Sequence, residues 1–259
     1  MHGSYYIGGA NDRFIGNEPA DDAPVLAELR SVLFNGTNHI ATLPAAQTVL
    51  GNATISEFTV AFWMKYAVAT ANQYKGMWNW TTNSAWADGA MSYFLTTGSS
   101  PQYAFAVNNW SANRSYDIDV AAQWNFVVQR YKSGMTNGLN CSINDSAPVT
   151  LASLTANVTA MSNPIIIGSM PGSATYLSNA YFCCFGFWDR YISDAEKTAL
   201  YNGGVFAEFT TVPTNLQGYF RTDADTDVVN SGGWVDYANS NNGTFSNSPT
   251  LSTDVPPLS

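Results

Sequence analysis

The chain has 259 residues and a formal net charge of −9, with 11% charged and 14% aromatic residues. Ten Lys plus Arg form no basic stripe that could neutralise phosphates, which excludes nucleic acid and anionic membrane surfaces as partners. The aromatic content excludes a disordered chain, three cysteines are too few for a disulfide framework, and the length suits one large β domain.

Residues 1–29 are rich in Gly, Asn, Asp and Pro without periodicity, and they read as an extended N-terminal arm. The arm has no positive segment followed by an apolar one, so no secretory signal is expected. No apolar run approaches the ~20 residues of a membrane helix. Residues 30–34 and 39–43 read as two strands around Asn35-Gly36, a hairpin signal. In EFTVAFWMKYA, Phe58, Val60, Phe62, Met64 and Tyr66 fall on one face, and Thr59, Ala61, Trp63 and Lys65 fall on the other. That is the period of a strand with one face to bury. QWNFVVQRY repeats the pattern and groups Trp124, Phe126 and Val128, while GLNCSIN and PIIIG read as further short strands.

In YFCCFGFW, alternation sets Tyr181, Cys183, Phe185 and Phe187 against Phe182, Cys184, Gly186 and Trp188, so both faces require cover. Adjacent cysteines in a regular strand point to opposite faces, and the pair reads as small hydrophobes. After it, Ser193 is a helix N-cap and Glu196 completes a capping box. A short helix over residues 193–202 then ends at Gly203-Gly204. Many short strands separated by turn signals predict an all-β sandwich of two antiparallel sheets.

Several segments, in this order, resemble the concanavalin A-like, laminin-G-like jelly-roll family. SVLFNGTNHIATLP is similar to its opening strands and FTVAFWMKY to the next core strand. WNFVVQRY, IIIGSM and FGFWDRYISDAEKTALYNGG are similar to later strands and the closing helix. The resemblance implies a jelly-roll domain over residues 30–259. In many relatives two acidic residues precede the last core strand and serve a calcium or polar site; Cys183 and Cys184 hold those positions here. Thiols are poor ligands for calcium, which takes oxygen. The segment from Asn215 onward is similar to one that usually precedes the opening strand, and it is expected to complete the same domain.

Glycan hydrolases of this superfold resemble one another in a Glu-x-Asp-x-x-Glu strand. The five glutamates here, Glu18, Glu28, Glu57, Glu196 and Glu208, do not form it. Asp117 and Asp119 share a strand face but read as solvated, and His39 reads as an edge histidine beside no nucleophile elbow. Asp223, Asp225 and Asp227 alternate as in a calcium loop, yet Val228 stands where the loop glycine belongs. They read as solvated turn carboxylates, so neither a metal nor any cofactor is expected. The remaining candidates are aromatic. Trp78, Trp80, Trp86 and Trp110, with Tyr103, sit among Asn, Asp and Thr, a setting in which exposed rings stack on sugars or anchor a partner protein.

The expected function is therefore non-catalytic. It is that of a structural or adhesive virion protein, a phage capsid decoration or tail-associated component. Other virion proteins or further copies of the chain would be engaged through residues 1–29, with a cell-surface glycan as a further partner. The alternatives are a carbohydrate-binding module of a bacterial cell-surface or secreted protein, and, behind it, a glycan-active enzyme. Localisation in the virion is expected on the first reading and outside the cell or at its surface on the second.

Overall fold

The computed structural model describes residues 29–66, 74–82, 86–95, 102–109, 114–118 (as backbone), 123–148, 152–170, 176–223 and 233–258. Its strands form two sheets, and every pairing is antiparallel. The first sheet runs β13 (Thr222–Asp223), β1 (Leu29–Asn35), β11 (Asn179–Trp188), β3 (Glu57–Tyr66), β8 (Asn125–Lys132) and β9 (Leu139–Ile143). It is extended by β12 (Leu216–Phe220) on β11 and β15 (Thr250–Ser252) on β1. The second runs β14 (Thr244–Ser246), β2 (Ile40–Ala45), β10 (Pro164–Ile167), β4 (Tyr74–Asn79), β5 (Ala90–Leu95), β6 (Gln102–Val107) and β7 (Arg114–Ile118). A single turn, α1 (Ala46–Val49), and one short helix, α2 (Asp194–Tyr201), complete the elements used below. This is the two-sheet antiparallel sandwich that the strand pattern predicts and the jelly roll that the resemblance implies.

The periodicity of β3 is realised as read. Phe58, Val60, Phe62 and Met64 are fully buried between the sheets, and Tyr66 nearly so. Phe58 meets Trp78, Trp80 and Phe105 of the opposite sheet at ring-centroid distances of 6.4, 5.3 and 5.8 Å. Each such ring removed from water contributes about 1.5–3 kcal/mol.

Three readings are corrected. First, Asn35-Gly36 closes no hairpin. β1 pairs with β11, β13 and β15 and β2 with β10 and β14, so this turn carries the chain from one sheet to the other. The Asn35 carboxamide oxygen accepts from the backbone N–H of Thr37, Asn38 and His39, and Gly36 takes φ +71°. The same local chemistry serves a crossover because only distant pairing decides which strand lies alongside.

Second, the inner face of β8 is Val127, Gln129 and Tyr131. Phe126 and Val128, with Trp124 just before the strand, lie on the outer face in a second apolar cluster. Gln129 is tolerated inside because its oxygen accepts from Trp78 Nε1 at 2.9 Å and its amide donates to Ser92 Oγ at 2.7 Å. The first sheet is therefore covered on both faces, so either face of β8 can be apolar.

Third, β11 does not alternate regularly. Cys183 pairs with Trp63 and Phe185 with Phe62, leaving Cys184 as the extra residue of a β-bulge, at φ +48°. The bulge shifts the parity of the strand. Ala180 and Phe182 before it and Phe185 and Phe187 after it all face the inter-sheet core, where Phe185 stacks on Phe62 at 4.8 Å. Both cysteines fall into the outer cluster rather than on opposite faces, with their sulfurs 2.9 Å apart. Burial, together with the neighbouring Cys183, holds the Cys184 thiol well above its ordinary pKa, so it stays protonated.

The outer cluster is roofed by α2 and the segments flanking it, through Ile192, Leu200, Phe206, Phe209 and Val212. The capping box forms as read. Ser193 Oγ accepts from the Glu196 N–H at 3.2 Å, and the Glu196 carboxylate accepts from the Ser193 N–H at 2.8 Å. The left-handed C-cap is Asn202 rather than a glycine. Two buried cations seat the helix. Lys197 Nζ donates to the carbonyls of Asp145 and Ser146 at 3.2 and 2.8 Å. Arg130 donates to the carbonyl of Ile192 at 3.0 Å and pairs with Asp194 at 2.7 Å.

The segment from Leu216 supplies strands to both sheets, β12, β13 and β15 to the first and β14 to the second. Asp223 is a buried partner of Arg221 rather than a solvated turn residue; the Arg221 guanidinium also binds Glu208, and Tyr237 Oη donates to Asp223 at 2.8 Å. Asp225 and Asp227 lie outside the described residues.

Candidate functional site

The aromatic residues singled out from the sequence do not form an open platform. Trp78, Trp80 and Tyr103 are fully buried between the sheets, with Trp78 and Trp80 stacked at 5.2 Å and Tyr103 against Phe94 at 5.3 Å. Trp86 is 7% exposed and packs on the outer face of the second sheet against Tyr176 and Tyr74, at 5.5 and 6.3 Å. A ring must offer a free face to stack on a sugar, and these faces are already occupied by protein. The expectation fails for a physical reason: Trp78 alternates into the core from β4, and Trp80 follows it inward. Trp110 and Asp119 lie outside the described residues.

An open aromatic cleft lies instead on the outer face of the first sheet, with a volume of about 410 Å³. That is within the range of ligand sites, ~300–1,000 Å³. Five separate parts of the chain build it. Trp63 and Lys65 rise from successive outward positions of β3, and Gln123 and Trp124 lead into β8. Asn144 follows β9, and Tyr201 and Gly204 come from the end of α2 and its turn. The C-terminal tail closes one side with Val255 and Pro257.

The lining is held in place by specific contacts. Tyr201 lies nearly parallel to Trp63, 20° between planes and 6.3 Å between centroids, and also beside Phe126 at 6.2 Å. Asn144 donates to Asn125 Oδ1 at 2.9 Å and accepts from the Phe126 N–H at 2.8 Å. The tail is pinned at three points. Phe206 N–H donates to the Pro257 carbonyl at 2.7 Å, Ser31 Oγ donates to the Asp254 carbonyl at 2.5 Å, and Asp254 N–H donates to Ser252 Oγ at 3.0 Å. The Asp254 carboxylate then ties tail to sheet, accepting from Lys65 Nζ at 2.7 Å and Trp124 Nε1 at 2.9 Å. Burial alone would raise the Asp254 pKa; the hydrogen bonds from Lys65 and Trp124 and the Lys65 charge outweigh it and hold the carboxyl below its ordinary range. Trp63, at the floor of the cleft, is 1% exposed, and its indole N–H has no acceptor among the described residues.

This arrangement can do two things chemically. The half-buried Trp124 indole and Tyr201 phenol supply flat apolar surface over the buried Trp63, while two carboxamides and an ammonium, the last held by the Asp254 carboxylate behind it, offer donors and acceptors at the rim. Among the described residues, no group of three or more His, Cys, Asp and Glu converges to hold a metal ion. Sequence reasoning missed these residues because Trp63 and Lys65 stand on the face of β3 that alternation assigns to the side away from the core. A tryptophan and a lysine at successive positions of such a face was the available signal.

No family model matches the sequence, and no curated protein matches it either. Solved structures do. A protein from Bacteroides ovatus ATCC 8483 described as carbohydrate-binding superposes with a TM-score of 0.65 at 14% identity, covering 89% of this chain and 62% of that one. A native heptameric SAP-like pentraxin from Limulus polyphemus superposes with a TM-score of 0.50 at 14% identity, covering 68% of this chain and 83% of that one. The chain thus spans less than two thirds of the Bacteroides protein. At this identity the likeness establishes the fold alone, a two-sheet jelly roll.

Proposed function

We propose that this domain is a non-catalytic glycan-binding module and that the cleft of Trp124 and Tyr201, floored by the buried Trp63, is its binding site. The observation that carries the reading is the cleft itself, with aromatic faces and rim amides in one preorganised concavity. Sugar rings present apolar C–H faces and a girdle of hydroxyls, so their recognition calls for these two kinds of surface together. The likeness to a Bacteroides protein described as carbohydrate-binding supports the same reading. The anticipated virion role would engage its partners through residues 1–29, of which 1–28 lie outside the described residues and Leu29 begins β1, so the proposal is confined to the glycan.

A printed array of neutral and acidic oligosaccharides tests the reading, followed by titration of the strongest ligand. Trp124→Ala should weaken binding at least about tenfold, ~1.4 kcal/mol, as truncation of an interface anchor does. Met135→Ala, at an exposed residue outside the cleft lining, should leave binding unchanged. An array without a single ligand, or a Trp124→Ala protein that binds as well as the parent, defeats the proposal.

A further inference from the structure

We infer that the cleft takes neutral saccharides and rejects acidic ones, and that Asp254 sets this selectivity. The inference deepens the glycan reading above and rests on it. Among the described residues, Lys65 is the one charged residue lining the cleft, and its ammonium is already matched by the Asp254 carboxylate at 2.7 Å. That ammonium also lies over the ring of Tyr181, 5.8 Å from its centroid. Lys197 of α2, which does not line the cleft, is itself paired with Asp145 at 3.1 Å.

An acidic sugar entering the cleft would therefore have to displace Asp254 from Lys65 or lie beside an anion. Displacement is resisted because Asp254 is fixed at four further points. Its second carboxylate oxygen holds Trp124 Nε1, its N–H and carbonyl are bonded to Ser252 and Ser31, and β15 just before it is paired with β1. Lying beside the carboxylate brings like charges to within a few ångströms in a half-covered site, and the chain as a whole carries −9. A neutral sugar meets neither obstacle. Its hydroxyls can accept from Lys65 and donate to Asp254 at once, using the ion pair as a ready-made acceptor–donor edge, and the amides of Gln123 and Asn144 continue that edge.

Calorimetric titration tests this with cellohexaose, laminarihexaose, mannohexaose and N-acetyllactosamine as neutral probes, and hexagalacturonate and α-sialylated N-acetyllactosamine as acidic ones. At least one neutral probe should bind, with every acidic probe at least about tenfold weaker, the scale of one unfavourable charge contact in a partly covered site. Asp254→Asn keeps an acceptor for Trp124 while freeing the Lys65 charge. It should strengthen binding of an acidic probe about tenfold, with the gain shrinking at high salt, and weaken the neutral probe a few-fold. Acidic probes that bind as well as neutral ones would overturn this inference and leave the glycan reading standing. Unaltered selectivity in Asp254→Asn would remove Asp254 as its source. Silence from every probe would overturn both.

Discussion

Replacing each cysteine of the β11 bulge by alanine and by glycine tests the register on which the whole core depends. Both side chains are fully buried in the outer cluster, so the alanine variants lose similar apolar contacts. The step from alanine to glycine separates the two positions. At Cys183, which pairs with Trp63 in the ladder, glycine adds ~0.5–1 kcal/mol of backbone entropy. It also forfeits ~0.8 kcal/mol for the buried methyl, about 1.5 kcal/mol together. At Cys184, where φ is +48°, glycine forfeits the same quantities but relieves the ~1–2 kcal/mol that an L-residue incurs in the left-handed region. The step should therefore cost about 1.5 kcal/mol at residue 183 and close to nothing at residue 184. Guanidinium unfolding in the presence of a reductant, followed by tryptophan fluorescence, measures all four variants on one scale. Equal steps at the two positions would refute the bulge. They would also refute the placement of Phe182 and Phe185 on a common face.

Two other perturbations probe the cover of the outer face. Arg221, whose side chain is 1% exposed, holds both Asp223 and Glu208, so Arg221→Met should destabilise by about 3 kcal/mol or more by stranding two carboxylates. Adding Asp223→Asn should recover part of that loss in the urea midpoint, and no recovery would count against the pairing. The Arg190 guanidinium, with the Ser193 N–H and hydroxyl, pulls Glu196 down to about 2. A depressed carboxyl stabilises the fold above its unfolded pKa of ~4.3 and loses that contribution as pH falls through its folded value. Glu196→Gln should thus cost about 1 kcal/mol at pH 7. Its gap from the parent should close between about pH 5 and pH 2 in a series of unfolding midpoints, and a gap independent of pH would rule the carboxylate out.

The amino-acid sequence by itself determined what depends on neighbours along the chain. Alternation in β3 put Phe58, Val60, Phe62 and Met64 inside, because a strand needs one apolar face and only one set of positions offered five large apolar residues without interruption. Ser193 and Glu196 started α2, because a capping box closes on itself within four residues. The asparagine and glycine of the first turn were likewise legible as a turn.

Only the tertiary structure decided what depends on partners far along the chain. Whether Asn35-Gly36 joined paired strands or strands of different sheets was settled by β11 and β10, more than a hundred residues later. β8 and β11 were apolar on both faces, so alternation could not say which face met the second sheet. The choice fell to the Cys184 bulge and to the helix that roofs the other side. The cleft belongs to the same class. Trp63, Trp124, Tyr201 and Val255 span nearly two hundred positions and share no local pattern. They meet because the helix end and the tail both cover the outer face of the first sheet and are joined there through Phe206 and Pro257, a packing that the linear order of residues does not record.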